Sequence, residues 1–169
     1  MPVLPVLLDD TDRALLSALQ DDAKTSLATL GKQVGMSAPS VMERVRKLEA
    51  SGVITGYHAA VDGKALGLDI TSFIGVSIDY PTDIDGFLAQ LAERPEVLEC
   101  HHVTGGHTLL LKIKTRNTAS LQALIGALRG IDGVTRTETM VVLSTAAESS
   151  RVPLDELEPA EPRRRRRSR

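Results

Sequence analysis

The chain has 169 residues, enough for one ordinary domain or two small ones, and its 42% hydrophobic and 25% charged residues are those of a globular protein. No apolar run reaches the roughly 20 residues that cross a bilayer, and the opening MPVLPVLLDD lacks the features of a secretory signal, so a cytoplasmic protein without membrane contact is expected. The single Cys100 excludes an internal disulfide, a net charge of −2 excludes a bulk polyanion binder, and the absence of Trp leaves few stacking platforms for single-stranded nucleic acid.

Asp9-Asp10-Thr11-Asp12 opens a helix with capping side chains, and Leu15, Leu16 and Leu19 follow at helical spacing. Ser26 caps a second, short helix carrying Leu27, Leu30 and Val34, which Gly35 ends by reversing the chain. Ser37 caps a third helix with Pro39 in its first turn, a buried stripe of Val41, Val45 and Leu48, and a stop at Gly52. A strand is expected over Val53–Ala60, followed by the turn-rich Asp62–Gly67.

Beyond this connection the periodicity changes. Phe73–Ile78 alternates as a strand with Ile74, Val76 and Ile78 on one face, and Ile84, Phe87, Leu88 and Leu91 keep amphipathic helical spacing. Val97–Val103 and Leu109–Lys114 read as strands around Thr104–Thr108, and Leu121, Leu124, Ile125 and Leu128 mark another helix before a last strand, Val134–Ser144. The order βαββαβ is that of a ferredoxin-like antiparallel sheet with both helices on one side. The fold class is therefore α+β: an N-terminal helix-turn-helix over residues 1–60, a linker 61–70, a ferredoxin-like domain 71–148, and a disordered basic tail 149–169. Pro153, Pro159, Pro162 and the charges up to Arg163–Arg167 leave that tail little apolar surface to bury.

The third helix carries the most informative chemistry. Ser40, Glu43, Arg44 and Lys47 share one face at i, i+3, i+4 and i+7, flanked by Arg46, with Ser37 at the helix start. Arg and Lys suit phosphates or guanine edges, and Ser37 and Ser40 suit phosphate or base contacts, so these six residues are the candidate DNA-reading set. The competing interpretation is the solvated face of an ordinary helix.

Leu8-Asp9-Asp10-Thr11-Asp12, Leu15-Leu16, Leu19-Gln20, Met36-Ser37, Arg44–Glu49 and Gly52–Tyr57, with Val103-Thr104-Gly105 and Thr137-Glu138-Thr139 further on, resemble the leucine-responsive regulator / asparagine regulator (Lrp/AsnC) family from about Leu8 to Glu148. The resemblance implies a winged-type helix-turn-helix in a DNA-binding transcriptional regulator, not an enzyme, acting on double-stranded DNA. It further implies dimers assembling into higher oligomers such as an octamer, and an amino acid or related metabolite as effector. The effector is expected beside the turn Thr104, Gly105, Gly106, His107 and Thr108, with Thr137 and Glu138 as further candidates by resemblance. Many family members carry acids in this turn; here it has none, and Glu138 is the candidate source of negative charge.

No cofactor and no catalytic residue is expected. Cys100, His101 and His102 alternate along a strand without the repeated spacing of a zinc site, and no metal is expected. Two other classes remain: a metabolite-binding or enzymatic ferredoxin-like protein with an assembly helix, and an architectural DNA compactor without effector. The Arg163–Arg167 run either adds phosphate affinity through counterion release or is offset by Glu156, Glu158 and Glu161.

Overall fold

The computed structural model describes residues 6–79 and 84–154. It divides the chain into two compact units, one running to Ala59 and resuming at Ser149, the other spanning Ala60–Glu148. Among the described residues no helix is long and apolar enough to cross a membrane.

The first unit is built on three helices, α1 (Asp10–Asp21), α2 (Leu27–Val34) and α3 (Ala38–Ala50). Each begins where a side chain accepts an otherwise orphaned N–H: Asp9 takes that of Asp12, Ser26 that of Thr29 and Ser37 that of Ser40. Leu15, Leu30, Val41 and Val45 form the core, with Leu16 and Leu48 buried beside them; Leu27, expected in the stripe of α2, is instead exposed. α2 ends at Gly35, whose φ of +68° reverses the chain into α3. One helical turn earlier, a Cβ on Gly31 would lie 2.4 Å from the Met36 carbonyl oxygen, so the tight turn needs glycine there as well.

The strand expected over Val53–Ala60 does not form. Val53 and Ile54 donate their N–H groups to the Leu48 carbonyl, closing α3, and Ile54 packs on the helical core. Beyond them, 55–60 is exposed chain with no strand partner among the described residues, so no β wing follows α3.

The second unit contains β1 (Ile70–Ile78), α4 (Ile84–Ala92), β2 (Val97–His102), β3 (Leu109–Thr115), α5 (Thr118–Arg129) and β4 (Val134–Val141). The residues expected as linker carry a single 3-10 turn, Lys64–Leu66. The strands pair antiparallel in the order β2-β3-β1-β4, the ferredoxin-like arrangement. Ile74, Val76 and Ile78 join Leu109, Leu111 and Ile113 in one core with Phe87 and Leu91 of α4 and Leu121, Leu124 and Leu128 of α5, so both helices cover one face. The side chain of Ile84 lies outside the described part. Alternation turns Phe73, Gly75 and Ser77 of β1 to the opposite face, where the register aligns them with Lys112, Leu110, Met140, Glu138 and Arg136. No described helix covers that face.

The end of the sequence departs from expectation over 149–154. These residues, expected to be part of a disordered tail, hydrogen-bond to α1 through the side chains of Arg13, Ser17 and Gln20. Their backbone and one arginine supply the polar groups, so little apolar surface is needed to hold them. The rest of the expected tail, including Arg163–Arg167, lies outside the described residues.

Two glycines make the packing argument testable. Alanine is favoured over glycine in a helix by about 0.8–1 kcal/mol, yet at Gly31 its methyl meets backbone, and overpacking of that kind costs about 1–3 kcal/mol. Gly126, in α5, has nothing within 4 Å of its Cβ position. Gly31→Ala is therefore expected to destabilise the helical unit and Gly126→Ala to leave the sheet unit unchanged or firmer, as read by chemical denaturation.

Candidate DNA-binding and effector-binding sites

On α3 the apolar residues Val41, Val45 and Leu48 face inward, and Ser37, Ser40, Glu43, Arg46 and Lys47 remain exposed. The Ser37 hydroxyl caps the helix and lies 2.8 Å from that of Ser40, so both hydroxyls sit at the N-terminal end. Glu43 and Lys47 approach to 3.9 Å one helical turn apart, both largely solvated, an arrangement that contributes little stability and leaves Lys47 available. Ser37 and Ser40 at the helix start and Arg46 and Lys47 toward its C-terminal end are exposed groups that phosphates and base edges can meet.

Arg44 is not part of that exposed set. Its Nη1 donates to Asp9 Oδ2 at 2.7 Å and to Asp12 Oδ1 at 2.8 Å. The other oxygens of the two carboxylates close a reciprocal cap at the start of α1: Asp9 Oδ1 accepts from the Asp12 N–H and Asp12 Oδ2 from the Asp9 N–H. Arg44 thus ties α3 to the N-terminus of α1 and holds the Asp9 carboxyl below its ordinary pKa, together with the Asp12 N–H, the larger influence. Helical spacing put Arg44 with the DNA-reading residues; in the structure its partly exposed guanidinium is paired with Asp9 and Asp12.

The second candidate site splits in two. The Thr104–Thr108 turn folds over the open sheet face, with Gly105 at φ +114°. His107 lies against Gly75, where any Cβ would meet its ring at 2.5 Å. Its Nδ1 is 3.4 Å from the Ser77 hydroxyl and its Nε2 is 3.5 Å from Glu138 Oε2, which Arg136 also reaches at 3.0 Å. Thr108 is used structurally: its hydroxyl accepts the Ile78 N–H and its N–H donates to the Val76 carbonyl. Thr137 lies on the helix face opposite Glu138, where its hydroxyl accepts from Arg129 Nε at 2.7 Å. The structure therefore unites His107 and Glu138 and separates Thr137 from them. It adds Ser77 and Arg136, which the strand alternation implied and the motif-based selection missed. Cation, carboxylate and imidazole in a row are suited to a small zwitterion.

Cys100 and His101 point to opposite faces of β2, and burial pushes the Cys100 thiol up, away from the thiolate that metals and nucleophilic chemistry require. Among the described residues no three His, Cys, Asp or Glu side chains are grouped to hold a metal.

Residues 8–49 match the AsnC-type helix-turn-helix domain and residues 71–152 match the Lrp/AsnC ligand binding domain. The chain belongs to the Lrp/AsnC family of transcriptional regulators. It is similar to regulatory protein AsnC of Escherichia coli, 38% identical over 138 residues that cover 81% of this chain and 91% of that protein. It is also similar to transcriptional regulator AzlB of Bacillus subtilis, 33% identical over 155 residues, 90% and 99% of the two chains. The solved structure of Escherichia coli AsnC superposes with a TM-score of 0.81 at 36% identity, covering 88% of this chain and 100% of that one. A Neisseria meningitidis transcriptional regulator solved as an L-Met complex superposes with a TM-score of 0.84 at 27% identity, covering 88% and 97%.

The Arg44 contact sets a pH dependence. A carboxyl whose folded pKa is depressed stabilises the fold above its ordinary value, near 3.8 for Asp9, and that contribution disappears as pH falls through the depressed value. Arg44→Ala is expected to lower the melting temperature of the helical unit at neutral pH, and the gap to wild type should close below about pH 4. Thermal scans across that range check it; a gap independent of pH would remove the ion pair from the explanation.

Proposed function

We propose that this chain is a sequence-specific, cytoplasmic transcriptional regulator of double-stranded DNA rather than an enzyme, and that its sheet unit binds an amino acid or related metabolite. The observation that carries the DNA-binding part is α3: capped by Ser37 after the Gly35 turn, anchored through Arg44, and exposing Ser40, Glu43, Arg46 and Lys47 on its outer side. Of the six residues first assigned to DNA reading, Ser37, Ser40, Glu43, Arg46 and Lys47 keep that assignment. Arg44 becomes their support. We assign the open sheet face to a second copy of the chain, giving a dimer or a higher oligomer such as an octamer, and the arginine run to phosphate contacts. Two linked copies would present two α3 helices to half-sites of one operator.

Arg46→Ala and Lys47→Ala are expected to weaken binding to specific and random duplexes without changing the fold. Loss of a phosphate contact lowers the salt slope by about one, whereas loss of a base contact costs about 1–3 kcal/mol and relaxes specificity. Unchanged affinity in both variants would remove α3 as the reading helix.

The effector reading rests on His107, Glu138 and Arg136 beside the glycine turn, with Gly105 and Gly106 permitting close backbone approach. Glu138 suits the ammonium of an amino acid, and Arg136 or His107 its carboxylate; the L-Met complex of the Neisseria meningitidis regulator supports that class. Calorimetric titration with the common amino acids is expected to reveal one ligand that His107→Ala and Glu138→Gln bind about tenfold or more weakly, the scale of a lost charged hydrogen bond. Equal binding by all three proteins would move the pocket elsewhere, and no ligand at all would favour a DNA-compacting role.

A further inference from the structure

The outer face of α1 presents Arg13, Ser17, Gln20 and Asp21 along one helical ridge, and the described end of the chain lies along it. Arg151 reaches both Asp21 and the Ser17 hydroxyl. The Gln20 amide closes a two-way pair with the backbone of Val152, accepting its N–H at 2.7 Å and donating to its carbonyl at 3.2 Å. Arg13 Nη1 donates to the Leu154 carbonyl at 3.2 Å. Three of these contacts are to main-chain atoms of the segment, so the ridge grips it largely through its backbone. The contacts are polar and solvated, and Val152 stays 55% exposed. Such a contact is releasable, because little apolar area is buried in making it.

We propose that Ser149–Leu154 is a clasp: this chain's own segment docks on the α1 ridge and thereby launches the arginine run from the DNA-binding unit. The clasp rests on the geometry above; its consequence for DNA rests on the DNA-binding reading of this chain. On the sheet-unit side, Glu148 is paired with Lys112 of β3 and marks the last residue of that unit. With the clasp closed, eight residues lie between Leu154 and Arg163, nine steps of the chain that reach at most about 30 Å from α1. With it open, the run hangs from Glu148 by 14 intervening residues, 15 steps of up to about 50 Å, and starts from the other unit. A longer tether dilutes the tethered charges, roughly as the −3/2 power of its length. Closure therefore raises the local concentration of arginines around the DNA held by α3, and anything that competes for the ridge lowers it.

Val152→Pro tests this without changing charge, since it removes the N–H that Gln20 accepts. Asp21→Arg, Arg151→Asp and their combination test it by charge exchange. Amide exchange of the peptide containing Val152, measured on the full chain without DNA, is expected to be slow in wild type, fast in Val152→Pro and in both single charge variants, and slow again in the exchanged pair. Affinity for a random duplex at low salt should fall about two- to fivefold in Val152→Pro and recover in the exchanged pair. In chains ending at Leu154, which lack the arginine run, Val152→Pro should make no difference. Fast exchange in wild type would overturn the clasp itself. Slow exchange with unaltered DNA affinity in Val152→Pro would overturn its role in launching the tail. Exchange that follows the expected pattern in a protein that binds no duplex would instead reject the DNA-binding reading and leave the clasp standing.

Discussion

The sheet unit depends on the two-sidedness of β1. As the central strand it is hydrogen-bonded to β3 on one edge and β4 on the other, so its alternation is imposed on both neighbours. Ile74, Val76 and Ile78 commit one face to the helices. The opposite face is then obliged to carry Phe73, Gly75 and Ser77, and the missing side chain at Gly75 leaves room for the His107 ring. A register slip of one residue would bury Ser77 and expose Val76, which is why the position of the candidate effector site and the formation of the core are one constraint.

The helical unit divides the labour of α3 in a comparable way. Its inward residues provide the packing, one flank supplies Arg44 to the start of α1, and what remains is free for recognition. A helix held by a charged contact as well as by packing is limited in its rotation about its own axis. The two aspartates serve α1 and α3 together, because each carboxylate has two oxygens and gives one to each task. Arg44, on the face that helical spacing assigned to DNA, is thus paired within the helical unit.

Much of this architecture was legible along the chain because the forces that specify it are local and periodic. Ser26 and Ser37 mark their helix starts, since a hydroxyl one residue before a helix satisfies an N–H that nothing else can reach. The apolar spacing of 121, 124 and 128 and the alternation of 74, 76 and 78 report which face is buried, since burial recurs with the geometry of helix and strand. Alternation also contained the separation of Thr137 from Glu138, a signal that a motif-based grouping of neighbouring residues overrode.

The remaining features were decided only by tertiary structure. Arg44 finds Asp9 at a sequence separation of 35 residues, and the 149–154 segment finds α1 at separations of 130 to 141. Neither pairing leaves a periodic trace, because each is a single meeting of polar groups rather than a repeated face. The segment 53–60 has the composition of a strand, but strand formation needs a partner edge, and within the described chain none is offered. The sequence by itself determined, among the described residues, the five α-helices and the four strands of the sheet, their order and most of their buried faces. The tertiary structure decided which charged and polar side chains are spent on holding those elements together, because such contacts depend on distance in space and carry no signature along the chain.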